Sequence, residues 1–210
     1  MAKGITRDRL VAAALEVLDE GGIDAVTVRA VAARLDVKAP ALYWHVRGKQ
    51  ELLDEMGTEI QRRVQTAVGL DPVGDWRSGL ARYARALRAE YLSHRDGART
   101  FSGTRLTDPA VLRAQEPWLE QWTTQGVTLE QAIDAAEVVT AFTVGFVIEE
   151  QERSQSAASD PERYGLAARD AAIGADAPLV VAAGHVRDDS DARFERQLEM
   201  LLAGIAASLR

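Results

Sequence analysis

Cysteine is absent from all 210 residues, which excludes disulfides and thiolate metal sites and makes a reducing cytoplasm the expected compartment. Histidine is nearly absent. His45, His94 and His185 lie far apart and lack the spacing of a zinc-binding helix. No uninterrupted apolar run approaches the ~18 residues of a membrane span, and the N-terminus has no signal-peptide core, so a soluble intracellular protein with no membrane partner is expected. No alternating strand pattern, internal repeat or Gly-rich phosphate loop occurs, and paired acids such as Glu149-Glu150 suit a solvated helix face. An enzyme, a cofactor or a bound metal is therefore not expected.

What is present is helical periodicity, and it is organised around residues 27–49. Val28, Val31, Ala32 and Leu35 repeat on one face, with Thr27 placed to cap the first turn. Leu35-Asp36-Val37-Lys38 breaks the period, and Pro40 falls where a second helix would begin. Two short helices and a tight turn match a helix-turn-helix, whose second helix enters the DNA major groove. The net charge of −7 looks unsuited to this until the chain is divided. Residues 1–50 hold eight basic against six acidic side chains, giving +2 there and −9 beyond, which permits a basic end on an acidic body.

The remaining segments can be read in order. Leu10, Ala14, Val17 and Leu18 mark a first helix capped by Thr6 and stopped at Gly21-Gly22, and Leu52, Leu53, Met56, Ile60 and Val64 mark a connecting helix from about Lys49. The break at Gly69–Gly74 sets the expected division into 1–48, 49–68 and 69–210. Beyond it, Asp75 should cap a helix ending between His94 and Gly97, with an irregular stretch carrying Phe101, Gly103 and Thr104. Asp108-Pro109 restarts a helix that Pro117 interrupts or bends, and Gly126 closes it. Thr128 and Gln131 form a capping box for the longest helix, expected to run to about Arg153 and apolar around much of its girth. Residues 154–174 lose periodicity and are expected to be a mobile loop, followed by a short helix near Pro178–Val186 and a final helix from about Asp191. The expected fold is all-α.

Gly22-Ile23-Asp24, Thr27, Arg29, Pro40, Leu42-Tyr43-Trp44-His45-Val46, Lys49 and Leu52-Leu53-Asp54 closely resemble the DNA-binding domain of the tetracycline-repressor family. Arg95-Asp96-Gly97-Ala98, Gly103-Thr104-Arg105, Phe142-Thr143-Val144-Gly145 and Glu149-Glu150-Gln151-Glu152 resemble that family's effector domain. The resemblance implies an N-terminal three-helix DNA-binding domain and a C-terminal helical effector-binding and dimerisation domain. It implies a homodimer on a palindromic double-stranded operator, its long and final helices pairing in an intersubunit four-helix bundle. The implied DNA-binding residues are Thr27, Arg29 and Lys49 on phosphates, Ala39, Pro40, Ala41 and Tyr43 nearest to bases, Trp44 and His45 against backbone or the domain's own core, and Lys38 within the same DNA-facing set. Ala39 and Ala41 stand where the family presents hydrogen-bonding side chains, so a different operator is expected.

At the implied effector site, Thr104 and Glu149 match the family, but its metal-binding histidine falls on Phe101. Other polar contacts fall on Gln65, Tyr83 and Trp118, with Leu87 in place of a phenylalanine. One carboxylate without the imidazole is poor provision for a divalent ion. A cavity of Tyr83, Leu87, Phe101, Trp118, Phe142 and Phe146 would suit a polycyclic drug or metabolite with few polar handles, and the competing reading is that these aromatics only fill the core. The expected function is a ligand-released transcriptional repressor. The alternatives are an activator or ligand-independent regulator of the same fold, and a sequestering protein that never touches DNA.

Overall fold

The computed structural model describes residues 4–69, 74–186 and 189–209, and every described regular element is helical. Thr6 accepts from the Arg9 N–H to begin α1 (Arg7–Gly21), which stops at Gly22 with φ 74°. The Thr27 hydroxyl accepts from Ala30 N–H to begin α2 (Val28–Arg34). Asp36 then turns the chain with φ 54°, a conformation that aspartate tolerates better than most side chains. The next element is a 3-10 turn, Ala39–Ala41, continued by turns closed from His45 and Val46 back to Leu42. The expected second α-helix is thus a tighter, shorter coil. Pro40 occupies its first turn, and Leu42 and Val46 alone of this stretch are sealed into the core.

Helix α3 (Lys49–Val68) leaves this unit and enters the body without a break in apolar packing. Leu10, Leu18, Val31, Leu42, Leu52, Met56, Ile60, Leu87 and Tyr91 share one buried cluster. Polar ties reinforce that seam: Asp19 lies 2.9 Å from His94 Nδ1, Asp96 accepts from Ile23 N–H at 3.1 Å, and Lys49 donates to the Ile23 carbonyl at 2.8 Å. Residues 70–73, the centre of the expected interdomain break, lie outside the described residues.

Asp75 caps α4 (Trp76–Leu92) by accepting from Ser78 N–H. Phe101 is not in an irregular stretch but ends α5 (Gly97–Phe101). Gly97 opens that helix pressed against the Tyr91 carbonyl, where a Cβ would approach within 2.2 Å, so only glycine fits. Asp108 caps α6 (Pro109–Arg113), and Pro117 stands in the first turn of α7 (Glu116–Thr124). The Thr128–Gln131 capping box is complete at the start of α8 (Leu129–Ser159), which runs six residues beyond Arg153. By length and composition α8 could cross a bilayer, but its apolar girth is explained by packing against α4, α5, α7 and the last helix, α12 (Ser190–Ser208).

The expected mobile loop is helical instead: α9 (Pro161–Tyr164) and α10 (Leu166–Ile173) precede α11 (Pro178–His185). None of α9, α10 and α11 buries a hydrophobic side chain, so no apolar period marks α9 and α10, while alanine supplies helix propensity in α10 and α11 and α11 stands where the short helix near Pro178 is expected. A second core joins α4, α7, α8 and α12 around Phe194, which stacks on Phe142 and meets Phe146 edge-on.

Candidate functional site

Two surfaces stand out at opposite ends of α3. At its N-terminal end the turn after α2 presents Tyr43 and Trp44, exposed by 53% and 91%. Burying that much aromatic surface is favourable, so a Trp left in water on a small basic unit has surface available to a partner. Its exposure overturns the reading in which Trp44 packs the domain core. Thr27, Arg29, Lys38, Pro40 and Lys49 are also exposed, while Ala39, Ala41 and His45 are half-buried. The ammonium of Lys49 is partly committed, because one of its donors holds the Ile23 carbonyl. Thr27 spends its hydroxyl on the helix cap.

At the other end of α3 lies a cavity of about 180 Å³ lined by residues from α3, α4, the α6–α7 segment, α7 and α8. Gln65, Tyr83 and Trp118 are brought together there, in keeping with the resemblance. Trp118 lies over Gly79, where a Cβ would come within 2.6 Å of the indole, so the glycine lets the ring approach α4 closely. Leu80, Leu119, Trp122, Ile133 and Ala136 complete much of the apolar wall. Sequence reasoning misses these. The i, i+4 pair Trp118 and Trp122, with Leu119 between, is the signal that could have marked one aromatic face of α7.

The polar atoms of the cavity are few and placed. The side-chain amide of Gln65 donates to the Val111 carbonyl at 2.8 Å, leaving its own carbonyl as an acceptor. Thr140 donates to the Tyr83 hydroxyl at 3.4 Å. Burial pushes the Tyr83 phenol up from its ordinary value, despite its bonds to Thr140 and Gln61, so it remains a neutral hydroxyl. Gln115 adds a second amide to the lining. These residues do not fit a divalent cation, since the wall offers neither carboxylate nor imidazole.

Six expected cavity residues lie elsewhere. Leu87 is sealed in the core shared with the N-terminal unit. Phe101 is buried beside Tyr91, ring centroids 6.0 Å apart, with the His94 ring edge-on at 5.9 Å, because the five-residue α5 turns it inward under α4. The Thr104 hydroxyl donates to the Phe101 carbonyl and packs against Gly57 of α3. Phe142, Phe146 and Glu149 border a separate, open depression between α8 and α12, and Glu149 is an exposed partner of Arg153 at 2.7 Å.

Residues 10–56 match the model of bacterial regulatory proteins of the tetR family, and residues 68–209 match the tetracyclin repressor-like C-terminal domain. The chain is 36% identical over 199 residues to the class A tetracycline repressor protein from transposon 1721 of Escherichia coli, covering 94% of this chain and 88% of that one. A crystal structure of a variant TetR from Acinetobacter baumannii AYE in complex with minocycline is 32% identical with a TM-score of 0.74, covering 98% and 99% of the two chains. The Streptomyces coelicolor TetR family protein ActR in complex with actinorhodin is 29% identical with a TM-score of 0.75, covering 98% and 97%. An exposed aromatic helix-turn-helix, a long helix leading from it to an apolar cavity, and matches along nearly the whole chain converge: the chain belongs to the tetR family of bacterial regulatory proteins.

Proposed function

We propose that this chain is a transcriptional repressor that binds a twofold operator as a homodimer and is released by a small, largely apolar effector. The observation that carries the reading is α3 itself: Lys49 at one end stands beside the helix-turn-helix, and Gln65 at the other lines the cavity. A ligand alters DNA affinity only by favouring one arrangement of the recognition elements over another, and one rigid helix spanning both sites supplies the means. A ligand acceptor that displaces the Val111 carbonyl from the Gln65 amide would loosen one tie between α3 and α6.

We divide the chain into a DNA-binding unit over 1–48, a connecting helix over 49–68 and an effector and dimerisation unit over 69–210, acting in the cytoplasm. Arg29, Lys38 and Lys49 supply phosphate contacts with Trp44, and Tyr43, Ala39, Pro40 and Ala41 approach the bases. Gln65, Tyr83 and Trp118 meet the effector. Relatives crystallised with minocycline and with actinorhodin carry polycyclic ligands, and the tryptophan-walled cavity here supports the same class.

The test is a gel shift with duplexes from the flanking promoters, followed by release with planar polycyclic compounds chosen by thermal shift. Release should persist in a chelator, because no carboxylate or imidazole lines the cavity. Release that requires magnesium would overturn the metal-free reading. Ligand binding with no duplex retained at low salt would favour a sequestering protein instead.

A further inference from the structure

A second cleft, of about 170 Å³, opens between α1, α3 and the segment leading into α6, away from the apolar cavity. Glu55 lies on its wall and is 4% exposed. One carboxylate oxygen takes the Arg7 guanidinium at 2.9 Å, and the other, Oε1, is buried with no hydrogen-bond partner. A carboxylate oxygen taken from water without a donor is costly, so the group is suited to a donor that the chain does not itself provide. The neighbouring donors are spent elsewhere. The Thr58 hydroxyl donates to the Asp54 carbonyl, Arg62 is paired with Glu59 and Asp108, and Arg63 with Glu59 and Glu90. Asp8, Glu59 and Asp108 add three more carboxylates to the same wall, so four carboxylates there face the three guanidinium groups of Arg7, Arg62 and Arg63.

We propose that this cleft is a binding site for a small organic cation with N–H donors, an alkylammonium or guanidinium compound, held by the Glu55 carboxylate. The last torsion of the carboxylate is broad and nearly twofold, so its two oxygens can exchange between Arg7 and a ligand. The volume equals on the order of five or six waters, enough for a short amine. Arg7, with its side chain 57% exposed at the start of α1, occupies the carboxylate as an internal cation and competes with the ligand. Occupancy would tie α1 to the Thr107–Asp108 segment of the body.

The experiment is calorimetry on the full chain at fixed ionic strength with n-butylammonium and with agmatine, against tetramethylammonium as a cation without N–H donors. One saturable site is expected for the first two and none for the third. Glu55→Gln should weaken binding by about tenfold or more, the loss of a charge-assisted hydrogen bond. Arg7→Ala, which leaves the buried Glu55 carboxylate without its internal cation, should tighten binding by removing the competitor, in a variant first shown by circular dichroism to be folded. Trp118→Ala in the apolar cavity should leave it unchanged. Absence of saturable binding would mean that water alone serves Glu55 and would overturn the proposal. So would equal binding by tetramethylammonium, or by Glu55→Gln. If Glu55→Gln fails to fold, Arg7→Ala decides: binding that is unchanged or weaker in that variant sinks the idea.

Discussion

Trp44 exposes 91% of its surface while Leu42 and Val46 on either side of it are sealed, and this contrast separates what each substitution does. Trp44→Ala should change thermal stability by no more than about 0.5 kcal/mol, since it removes no buried contact, yet weaken the operator complex. Arg29→Ala and Lys49→Ala should lower affinity for cognate and unrelated duplexes alike and flatten the salt dependence, because phosphate contacts release counterions and carry no sequence information. Tyr43→Ala should instead lower the ratio of cognate to unrelated binding. Gel shifts of the four variants across a salt series measure both quantities, and one common ratio for all of them would contradict the assignment. Phe101 makes the opposite case. The family resemblance puts it at the effector, but its ring is held between Tyr91 and His94 inside the core, so Phe101→Ala should cost about 3–5 kcal/mol of stability. Denaturant melts should register that loss while the folded fraction keeps wild-type effector affinity.

Elements that carry a cap or bury a face are legible in the sequence. Thr6, Thr27, Asp75, Asp108 and Thr128 all accept the first-turn N–H groups that their position implies. Legibility fails where a helix buries little or is too short to show a period. Helices α9 and α10 lie on the surface and leave no apolar stripe, whereas α11 stands where a short helix is expected, and α5 has five residues, so only tertiary packing reveals that Phe101 points inward. The cavity is half legible for the same reason: Gln65, Tyr83 and Trp118 can be placed by resemblance, whereas Gly79, Trp122 and Ile133 line it through the crossing of α4, α7 and α8. Gly79→Ala tests that crossing. Its methyl group would press on Trp118 at 2.6 Å and drive the indole from α4 into the cavity, so effector affinity should fall at least about tenfold. Operator binding without effector should be unchanged, because the N-terminal unit is untouched. Titrating effector release on the variant and the parent checks this, and unaltered release would show that the ligand lies elsewhere.

A single chain of this shape is incomplete on one side. Helix α8 spends one face on α4, α5 and α7 and another on α12, yet Val138 stays 46% exposed along it, on the same side as Phe142 and Glu149. Met200 of α12 is 73% exposed, and with Phe142 and Phe146 it borders an open depression that runs between the two helices. Two such helix pairs facing one another across a twofold axis would form a four-helix contact and remove that apolar surface from water. The same axis would set two recognition elements at the spacing of one DNA turn, about 34 Å, as a palindromic operator requires. Light scattering at micromolar concentration should therefore give twice the 22.8 kDa of the chain. Val138→Glu combined with Met200→Glu places charge in the contact without touching either core, so the variant should stay helical by circular dichroism while running as a monomer. Its operator affinity should fall steeply, because each half-site then binds alone and loses the gain that one dimer makes by engaging both. A parent protein that scatters as a monomer, or a charged variant that remains dimeric and binds the operator normally, would place the interface on another face.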